Sequence, residues 1–328
     1  MYAQVIEHFG CAKVFEAKTL ERPKPNSGEI LIRVKATSLN PIDIKIRSGV
    51  VPSISPKLPA VLHGDVSGVV EEIGEGVAQF KLGDRVFGYI GGVKGTHGTL
   101  AEYTVADARL LAKIPEGVTF DEAALYPLVS LTAWEAIIER MQINSGDSIL
   151  IHGGVGGVGH IAIQLAKMKG AKVYTTVSKD NRALANSFGA DVAIDYSVMT
   201  PSEYKEIYTN DEGFDFVFDT IGGVHLEKSF EVVKPGGTII TTVARGNHNL
   251  SLVHRKALTL SAVFTCLPLL DNYSREKQGQ HMRRIAELIE QSKLKVFRDK
   301  TQFTLEEISK AHEYMESRKH RGKISIII

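Results

Sequence analysis

A glycine-rich turn between an apolar run and an amphipathic segment constrains the fold of this chain more than any other feature. The run Ser148-Ile149-Leu150-Ile151 is typical of a buried strand, and it leads into the turn His152-Gly153-Gly154-Val155-Gly156-Gly157-Val158-Gly159. Beyond the turn, apolar residues recur at the spacing of three and four that is typical of a helix, at Val158, Ile161, Ala162, Leu165 and Met168. This order predicts the first strand and helix of a parallel sheet.

The glycines of this turn fit the dinucleotide-binding pattern. Gly154, Gly156 and Gly159 have the required spacing, in which one glycine makes the turn, one admits a pyrophosphate and one lets helix and strand approach closely. Gly157 and Val158 complete the helix N-terminus, which offers N–H groups to phosphate. A flexible loop is the alternative, but a second strand at 172–177 supplies the context that the pattern needs. The turn therefore predicts a dinucleotide cofactor.

The end of the second strand indicates which dinucleotide is bound. NAD enzymes usually place an acidic side chain there to bind the ribose 2′-hydroxyl, whereas this chain has Ser178, followed by Lys179 and Arg182, with Asp180 between them. A hydroxyl and a guanidinium suit a 2′-phosphate, because arginine presents a fork of donors. The alternative is that both cations are solvated residues at the start of a helix. We expect NADPH.

The order of strand-like and helical segments along the chain predicts two domains. Up to about Phe120, short apolar runs separated by glycine and proline favour a compact β-barrel. Strand runs then alternate with helical segments, as in a doubly wound parallel sheet. The closing apolar run Lys323–Ile328 needs a sheet to join, and the barrel is the natural one. We therefore expect an α/β protein in which a Rossmann domain, residues 123–265, is inserted into a discontinuous barrel domain, residues 1–122 plus 266–328.

Charge and cysteine content exclude several classes of protein. The formal net charge of +1, without any block of like charges, argues against nucleic-acid binding. Two cysteines, Cys11 and Cys266, cannot form a disulfide framework or a four-cysteine zinc site. The N-terminal stretch, with Glu7 and His8, lacks the pattern of a signal peptide, and no apolar run reaches the roughly 20 residues of a membrane span. We expect a soluble, cytoplasmic protein.

Several motifs together resemble the medium-chain dehydrogenase/reductases, most closely the zeta-crystallin-like NADPH:quinone oxidoreductases and their enone-reducing relatives. Besides the glycine turn, these motifs are Asn40-Pro41-Ile42-Asp43, Gly64-Asp65-Val66-Ser67-Gly68-Val69-Val70, Gly83-Asp84-Arg85-Val86, Ser130-Leu131-Thr132-Ala133-Trp134 and Gly322-Lys323-Ile324. The resemblance covers nearly the whole chain. It implies a GroES-like barrel around the Rossmann domain, an active site in the cleft between them, and a homodimer or tetramer built through Rossmann edge strands. Leu258–Val263 is the candidate edge, unless it is buried in its own sheet.

The resemblance also implies that zinc is absent. At the positions that match the zinc ligands of related alcohol dehydrogenases, this chain has Asn40, Gly64 and Leu128, none of which binds zinc well. His63, one residue before the histidine position, is better interpreted as a hydrogen-bonded turn residue. Without a Lewis acid, alcohol oxidation is disfavoured, and acceptors that are already electrophilic, such as quinones and α,β-unsaturated carbonyl compounds, are favoured.

Two side chains near the lost zinc site are the candidate catalytic residues. Hydride transfer to an enone builds negative charge on the carbonyl oxygen, which then needs hydrogen-bond donors. Asn40 offers an amide. Lys45, where many quinone reductases have tyrosine, offers an ammonium for the oxyanion or the cofactor ribose, unless it is a surface charge. Water is an alternative proton source.

Further positions match cofactor contacts of the family, each with an ordinary structural alternative. Thr132 would bond the nicotinamide side or simply start a helix, and Tyr196 would contact the adenosine phosphate or be a half-buried loop aromatic. Lys323 would reach the 2′-phosphate or simply start a strand. Val243, Phe264 and Thr265 should lie near the nicotinamide, because ligands bind beyond the carboxyl ends of parallel strands.

Substrate identity depends on loops at 91–98 and 267–273, whose conformations the sequence does not predict. The leading hypothesis is an NADPH-dependent reductase of quinones or enones. One alternative keeps the cofactor without catalysis, as a sensor, structural or partner-binding protein. Another is nucleic-acid binding, which the balanced charge disfavours.

Overall fold

The structure is a computed structural model that describes residues 1–328 of the chain. The chain forms two compact units, of which the first contains Met1–Leu131 and Thr265–Ile328 and the second contains Thr132–Phe264. The second unit is therefore one continuous segment, and the first is discontinuous in sequence. These units divide at 131/132 and 264/265, whereas the sequence suggested domain boundaries at 122/123 and 265/266, which stay a prediction.

Strands dominate the chain before residue 120, as the short apolar runs predict. Its elements up to Trp134 are β1 (Tyr2–Ile6), β2 (Phe15–Thr19), β3 (Glu29–Leu39), α1 (Pro41–Arg47), β4 (Ala60–Val61), β5 (Asp65–Ile73), β6 (Arg85–Tyr89), β7 (Tyr103–Asp107), β8 (Leu111–Lys113), α2 (Phe120–Ala123) and α3 (Pro127–Trp134). The long strand β3 pairs antiparallel with both β5 and β7, and β5 pairs with β6. Strands β2, β1 and β4 form a separate small sheet.

Helix α1 begins directly after β3 through a capping box. The Asn40 side chain caps the helix, Pro41 occupies its first turn, and the Asn40 N–H donates to Asp43 Oδ2 at 2.8 Å. A box of this kind satisfies backbone N–H groups that have no partner inside the helix. It therefore fixes Asn40 and Asp43 beside each other at the end of β3.

The second unit alternates strands and helices. After a π-helical segment at Glu135–Arg140, its elements are β9 (Ser148–His152), α4 (Gly159–Met168), β10 (Lys172–Val177), α5 (Arg182–Ser187), β11 (Val192–Asp195), α6 (Pro201–Thr209), β12 (Phe214–Asp219), α7 (Val224–Val232), β13 (Val233–Thr241), α8 (Ser251–Arg255) and β14 (Thr259–Ala262). All neighbouring strands are parallel, in the order β11-β10-β9-β12-β13-β14. Numbered from β9, this is the 3-2-1-4-5-6 order of a Rossmann fold.

Helices cover both faces of this sheet. Because the crossovers leave β9 in opposite directions and such connections are right-handed, α4 and α5 lie on one face and α6 and α7 on the other. Tyr204 of α6 and Phe230 of α7 pack in a core with Phe214 and Leu150 of the sheet, and all four are at most 2% exposed. Burying a large apolar side chain contributes about 1.5–3 kcal/mol, so these contacts fix the helices. Strand β14 lies at an edge, as predicted, with Leu260 37% exposed.

The chain returns to the first unit for its last elements, which are α9 (Leu267–Asp271), α10 (Arg275–Glu290), β15 (Phe303–Thr304), α11 (Ile308–Glu316) and β16 (Ile324–Ile327). Strand β16 pairs antiparallel with β3, Ile324 opposite Leu39, which confirms that the closing apolar run joins the β-rich sheet. The predicted loop at 267–273 contains the short helix α9, because Pro268 in its first turn is preorganised for helix. No helix combines the length and apolar character needed to cross a membrane.

Candidate cofactor site and active site

The glycine turn of the second unit is closed by close backbone packing. The Gly156 N–H donates to the Gly153 carbonyl at 2.9 Å. A Cβ atom at Gly159 would lie 2.2 Å from the Gly153 oxygen, and one at Gly154 would lie 2.0 Å from Thr175 Oγ1. Because real Cβ atoms do not come so close, only glycine allows α4 and β10 to approach the turn in this way. Gly156, by contrast, is exposed, and its Cβ would meet only the Gly153 oxygen, at 3.2 Å.

The same turn leaves backbone donors available. No side chain caps α4 at its N-cap residue Val158, and the hydrogen bonds that close the turn do not use the N–H groups of Gly157 and Val158. The side chain of His160 reaches back to the Gly156 carbonyl, with Nδ1 at 2.8 Å, and so helps to fix the turn. An uncapped helix N-terminus beside exposed glycine is suited to phosphate. The residues present therefore fit a dinucleotide pyrophosphate.

The residues predicted to select the cofactor lie together at the ends of β10 and β11. Ser178 accepts a hydrogen bond from Asn181 Nδ2 at 2.9 Å, and exposed Arg182 uses Nε to bond the Ala193 carbonyl at 3.0 Å. Hydrogen bonds from Ser197, and then the charges of Arg182 and Lys179, lower the pKa of Asp195. Lys179 and Arg182 thus lie near the end of β11.

Tyr196 directly follows β11 and is 58% exposed.

The residues expected near the nicotinamide are placed as follows. Val243 lies half-buried beyond β13, and its N–H donates to Thr241 Oγ1 at 3.1 Å. Thr132 is buried in α3, Phe264 is 42% exposed, and Thr265 is buried in the first unit. Their roles as cofactor contacts stay predictions.

The first unit contains a buried polar network around Asp65. One carboxylate oxygen of Asp65, Oδ2, accepts hydrogen bonds from Ser38 Oγ at 2.5 Å and Asn40 Nδ2 at 2.7 Å, and the other accepts from the Leu128 N–H at 2.8 Å. Lys323 donates to Asn40 Oδ1 at 2.5 Å and to the Leu39 carbonyl at 3.1 Å, and its ammonium lies 3.6 Å from Asp65 Oδ2. The network thus pairs one buried carboxylate with one buried ammonium.

Burial dominates the electrostatics of this network. It raises the pKa of Asp43 to about 8, against the hydrogen bond from the Asn40 N–H, which favours the carboxylate. It also lowers the pKa of Lys323, against the attraction of Asp65 and Asp43. Both shifts follow from the cost of holding charge away from water. Asp43 therefore keeps its proton to higher pH than an ordinary aspartate does.

The positions that match zinc ligands are occupied by this network and by tight packing. Asn40 and the Leu128 N–H both bind Asp65, as described above. A Cβ atom at Gly64 would lie 2.3 Å from the Tyr89 ring and 2.4 Å from the Gly91 oxygen, so that position has no room for a side chain. Nowhere does the chain bring together three or more His, Cys, Asp or Glu side chains that could hold a metal ion.

His63 is buried between β4 and β5 and is hydrogen-bonded, as the sequence suggested, although it does not lie in a turn. It has a positive φ of 67°, and its Nε2 lies 2.9 Å from His312 Nε2. Burial lowers the pKa of His63 to about 3 and holds that of His312 well below its usual value. The two rings therefore form a neutral, hydrogen-bonded pair.

Two predicted residues are placed differently from their expected roles. Lys323 is 3% exposed with its ammonium inside the Asp65 network, so it does not present a free cation to a 2′-phosphate; the cause is the pairing of β16 with β3. Asn40 is 1% exposed, and its amide already bonds Asp65 and Lys323, which makes it a structural member of the network. Lys45 lies half-buried in α1.

The sequence did not reveal the roles of several residues in this region. Asp43 and Asp65 belong to recognised motifs, but nothing in the motifs showed that the two carboxylates are buried together with Lys323. An acidic residue that opens an apolar strand, as Asp65 opens β5, was the available signal. Tyr89 and Cys266 form a second buried pair, with hydroxyl and sulfur 3.3 Å apart, and burial raises the pKa of Cys266 to about 11.

Two family profiles match the chain. The alcohol dehydrogenase GroES-like domain matches residues 26–116, and the zinc-binding dehydrogenase family matches residues 188–326. A zinc-type alcohol dehydrogenase-like protein of Staphylococcus epidermidis is 33% identical over 95% of this chain and 94% of its own length. The NADPH-dependent alkenal/one oxidoreductase of Arabidopsis thaliana chloroplasts is also 33% identical, over 99% of this chain and 79% of its own.

Solved structures share the whole fold. An alcohol dehydrogenase superfamily protein from Novosphingobium aromaticivorans has 38% identity and a TM-score of 0.95, covering 100% of this chain and 99% of its own. The Escherichia coli quinone oxidoreductase, solved in complex with NADPH, has 27% identity and a TM-score of 0.89, with full coverage of both chains. These likenesses confirm the GroES-like and Rossmann architecture expected from the motifs. The chain belongs to the medium-chain dehydrogenase/reductase superfamily of oxidoreductases, among its quinone oxidoreductase-like members.

Proposed function

We propose that this protein is an NADPH-dependent reductase that transfers hydride to quinones or α,β-unsaturated carbonyl compounds without zinc. The observation that carries the proposal is the Asp65 network. Two of the three positions that match zinc ligands, Asn40 and Leu128, bond Asp65 instead, and Lys323 supplies the positive charge beside it. The third position, Gly64, cannot hold a side chain.

This donor set fits hydride acceptors that need no Lewis acid. Zinc prefers thiolate, imidazole or carboxylate ligands in a tetrahedral set, and these residues do not provide one. Alcohol oxidation in this superfamily relies on such a metal to form an alkoxide, whereas quinones and enones are electrophilic already. The names of the Arabidopsis and Escherichia coli relatives, an alkenal/one and a quinone oxidoreductase, support the same substrate classes.

The second unit would hold the cofactor. The glycine turn 154–159 would bind the pyrophosphate, and Ser178, Lys179, Arg182 and Tyr196 would surround the 2′-phosphate. We assign the nicotinamide side to the remaining predicted contacts, Thr132, Val243, Phe264 and Thr265. NADPH supplies the hydride when it is bound. Arginine and lysine beside a serine hydroxyl favour a phosphate over a free hydroxyl, which supports NADPH over NADH.

The first unit would stabilise the charge that develops on the acceptor oxygen. Lys45 is the proposed donor, because a half-buried ammonium gains electrostatic strength as water is excluded. Asn40 would act as a positioning residue, which the hydrogen bonds to Asp65 and Lys323 hold in place. Asp43, whose pKa burial raises, would oppose the oxyanion less than an ordinary aspartate would.

The direct test is NADPH oxidation by the metal-stripped protein against quinones, enones, enals, simple ketones and alcohols, with NADH and added zinc as controls. We expect turnover of quinones or enones, preference for NADPH, and no response to zinc. Tight NADPH binding with no turnover of any acceptor would reject the reductase. A need for added zinc would reject the metal-free mechanism.

A lysine variant tests the proposed donor. Lys45→Met should lower kcat by about 10²-fold, a typical loss for one donor to a developing oxyanion. Lys57→Met, at an exposed lysine of the same unit, is the matched control and should leave kcat unchanged. Equal kcat values in both variants would remove Lys45 from the mechanism.

We also propose that two copies of the chain associate through β14. This edge strand offers unpaired backbone groups and an exposed Leu260, features that allow pairing with a second strand. Light scattering of the wild type and of Leu260→Lys tests this: a dimer that the substitution dissociates supports the proposal, and a monomeric wild type contradicts it.

A further inference from the structure

The first unit has a groove between the strand β8 and the helix α10. Its volume is about 400 Å³. Strand β8 and the residues after it, with Phe80, supply one side, and Ala286 and Glu290 of α10 supply the other. All of the lining residues belong to the first unit, and none is a predicted catalytic residue or cofactor contact. The groove is therefore separate from the sites described above.

Strand β8 is the last strand of its sheet and pairs only with β6. The Ile114 N–H donates to the Arg85 carbonyl at 2.9 Å, and hydrogen-bonded pairs alternate along an antiparallel ladder. The N–H and C=O of Lys113, one residue earlier, therefore point away from β6. No backbone hydrogen bond uses either group. An edge strand with free backbone groups of this kind is able to accept a further strand.

The side chain of Lys113 does not cover this edge. Exposed edges are commonly protected by a charged side chain, lysine above all. Here, however, the Lys113 ammonium lies 2.8 Å from Asp84 Oδ2. Because Asp84 directly precedes β6, the ammonium is drawn toward the paired side of β8. The backbone at the free edge therefore stays accessible.

The unpaired charges around the groove are negative. Arg283 and Glu287 are each held in an ion pair within α10, with N–O distances of 2.8 Å. Glu116 and Glu290, by contrast, are exposed and take part in no ion pair or side-chain hydrogen bond. Two free carboxylates beside an apolar groove favour a cationic partner.

We propose that this groove docks an extended, basic segment of a partner protein, which adds a strand to the free edge of β8. The backbone of the segment would pair with Lys113. An apolar side chain of the segment would contact Phe80 and Ala286, and lysine or arginine on either side would pair with Glu116 and Glu290. In such docking, main-chain hydrogen bonds give affinity and side chains give specificity. The proposal rests on the first unit alone and does not depend on the reaction.

Alanine NMR of the full-length protein tests the docking. The chain is labelled with ¹⁵N-alanine, because Ala112 and Ala286 report on the two sides of the groove, and their signals are assigned by their loss in Ala112→Ser and Ala286→Ser. The probe is the peptide acetyl-Lys-Thr-Val-Thr-Lys-amide, which places both lysines and the valine on one face of a strand. We expect saturable shifts of both alanine signals. The same peptide with glutamate in place of lysine should cause none.

Two substitutions of Lys113 test the backbone pairing. Lys113→Pro removes the outward N–H, a change that sheet edges tolerate, and should weaken peptide binding about tenfold. Lys113→Ala is the matched control, because it loses the same side chain and keeps the N–H, and it should bind as the wild type does. If Lys113→Pro does not fold, a peptide N-methylated at valine tests the pairing from the other side and should bind as weakly.

A charge reversal tests the acidic groups. Glu290→Lys should weaken peptide binding about tenfold or more, since an attraction becomes a repulsion. Glu313→Lys is the control, because Glu313 is equally exposed but lies on α11, outside the groove, and it should leave binding unchanged.

Three results would overturn the proposal. The first is the absence of a saturable shift at Ala112 and Ala286. The second is equal affinity of Lys113→Pro and Lys113→Ala, or of the N-methylated and unmodified peptides. The third is a shift of the same signals with protein concentration alone, which would assign the edge to a second copy of this chain.

Discussion

The glycine turn and the Asp65 network are built in opposite ways. The turn consists of consecutive residues, 153–159, and its chemistry is carried by backbone N–H groups and by the absence of side chains. The network is carried by the side chains of Ser38, Asn40, Asp65 and Lys323. The pairing of β3 with β5 brings the first three together, and the pairing of β16 with β3 adds Lys323. A site made from backbone is visible as a sequence pattern, whereas a site made by tertiary pairing is not.

The largest expected effect is on the network. Asp65→Asn would leave the Lys323 ammonium buried without its carboxylate, and breaking a buried pair in this way costs about 3–5 kcal/mol. Urea unfolding of the wild type and variant measures the loss. Asp191→Asn is the control, because its pair with Lys167 is about one-third exposed and contributes about 1 kcal/mol or less. If the two variants lost equal stability, the network would be no stronger than a surface pair.

The next effect separates packing from binding within the turn. Gly159→Ala forces a Cβ atom to within 2.2 Å of the Gly153 oxygen and should cost about 1–3 kcal/mol of stability as well as NADPH affinity. Gly156→Ala, with its nearest contact at 3.2 Å, should keep its stability and lose affinity only. Thermal unfolding and NADPH titration of both variants measure this difference. Loss of stability in both, or in neither, would contradict the separate roles of the two glycines.

The pH dependence of stability tests the protonation of Asp43. Burial raises its pKa in the folded state to about 8, so between roughly pH 5 and 8 the folded protein holds a proton that the unfolded chain has released. Its contribution to stability therefore falls as pH rises through this window, by up to about 1.4 kcal/mol per pH unit. Asp43→Asn keeps the acceptor for the Asn40 N–H and should flatten this slope. An unchanged slope would mean that Asp43 is already ionised at neutral pH.

The smallest effect concerns cofactor choice. Arg182→Gln should raise the Kd of NADPH about tenfold and leave that of NADH unchanged, because one charge-assisted contact to the 2′-phosphate is lost. Fluorescence titration with both cofactors measures the ratio, and Arg245→Gln, at an exposed arginine of the same unit, is the control. An equal loss for NADH would mean that Arg182 supports the fold of the site and does not select the phosphate.

Local signals explain which parts of the structure were predictable. The strands around the turn and the return of the closing strand follow from apolar runs in the sequence, and the edge position of β14 follows from the family resemblance. The environment of a side chain does not follow from them. The sequence around Lys323 is the same whether its ammonium faces solvent or Asp65, and only the register of β16 decides which of the two it faces. The helix at 267–271 was not predicted, because five residues are too few to show a helical period.

The pairing of β16 with β3 also sets an order of events during protein synthesis. The second unit is a continuous segment, so all of its strands have left the ribosome before Lys323 is made. Until then, Asp65 and Asn40 have no ammonium to enclose, and the first unit lacks the strand that flanks β3. The Rossmann sheet can therefore form early from near neighbours in the chain, while the unit that would carry the proposed oxyanion donor is completed last.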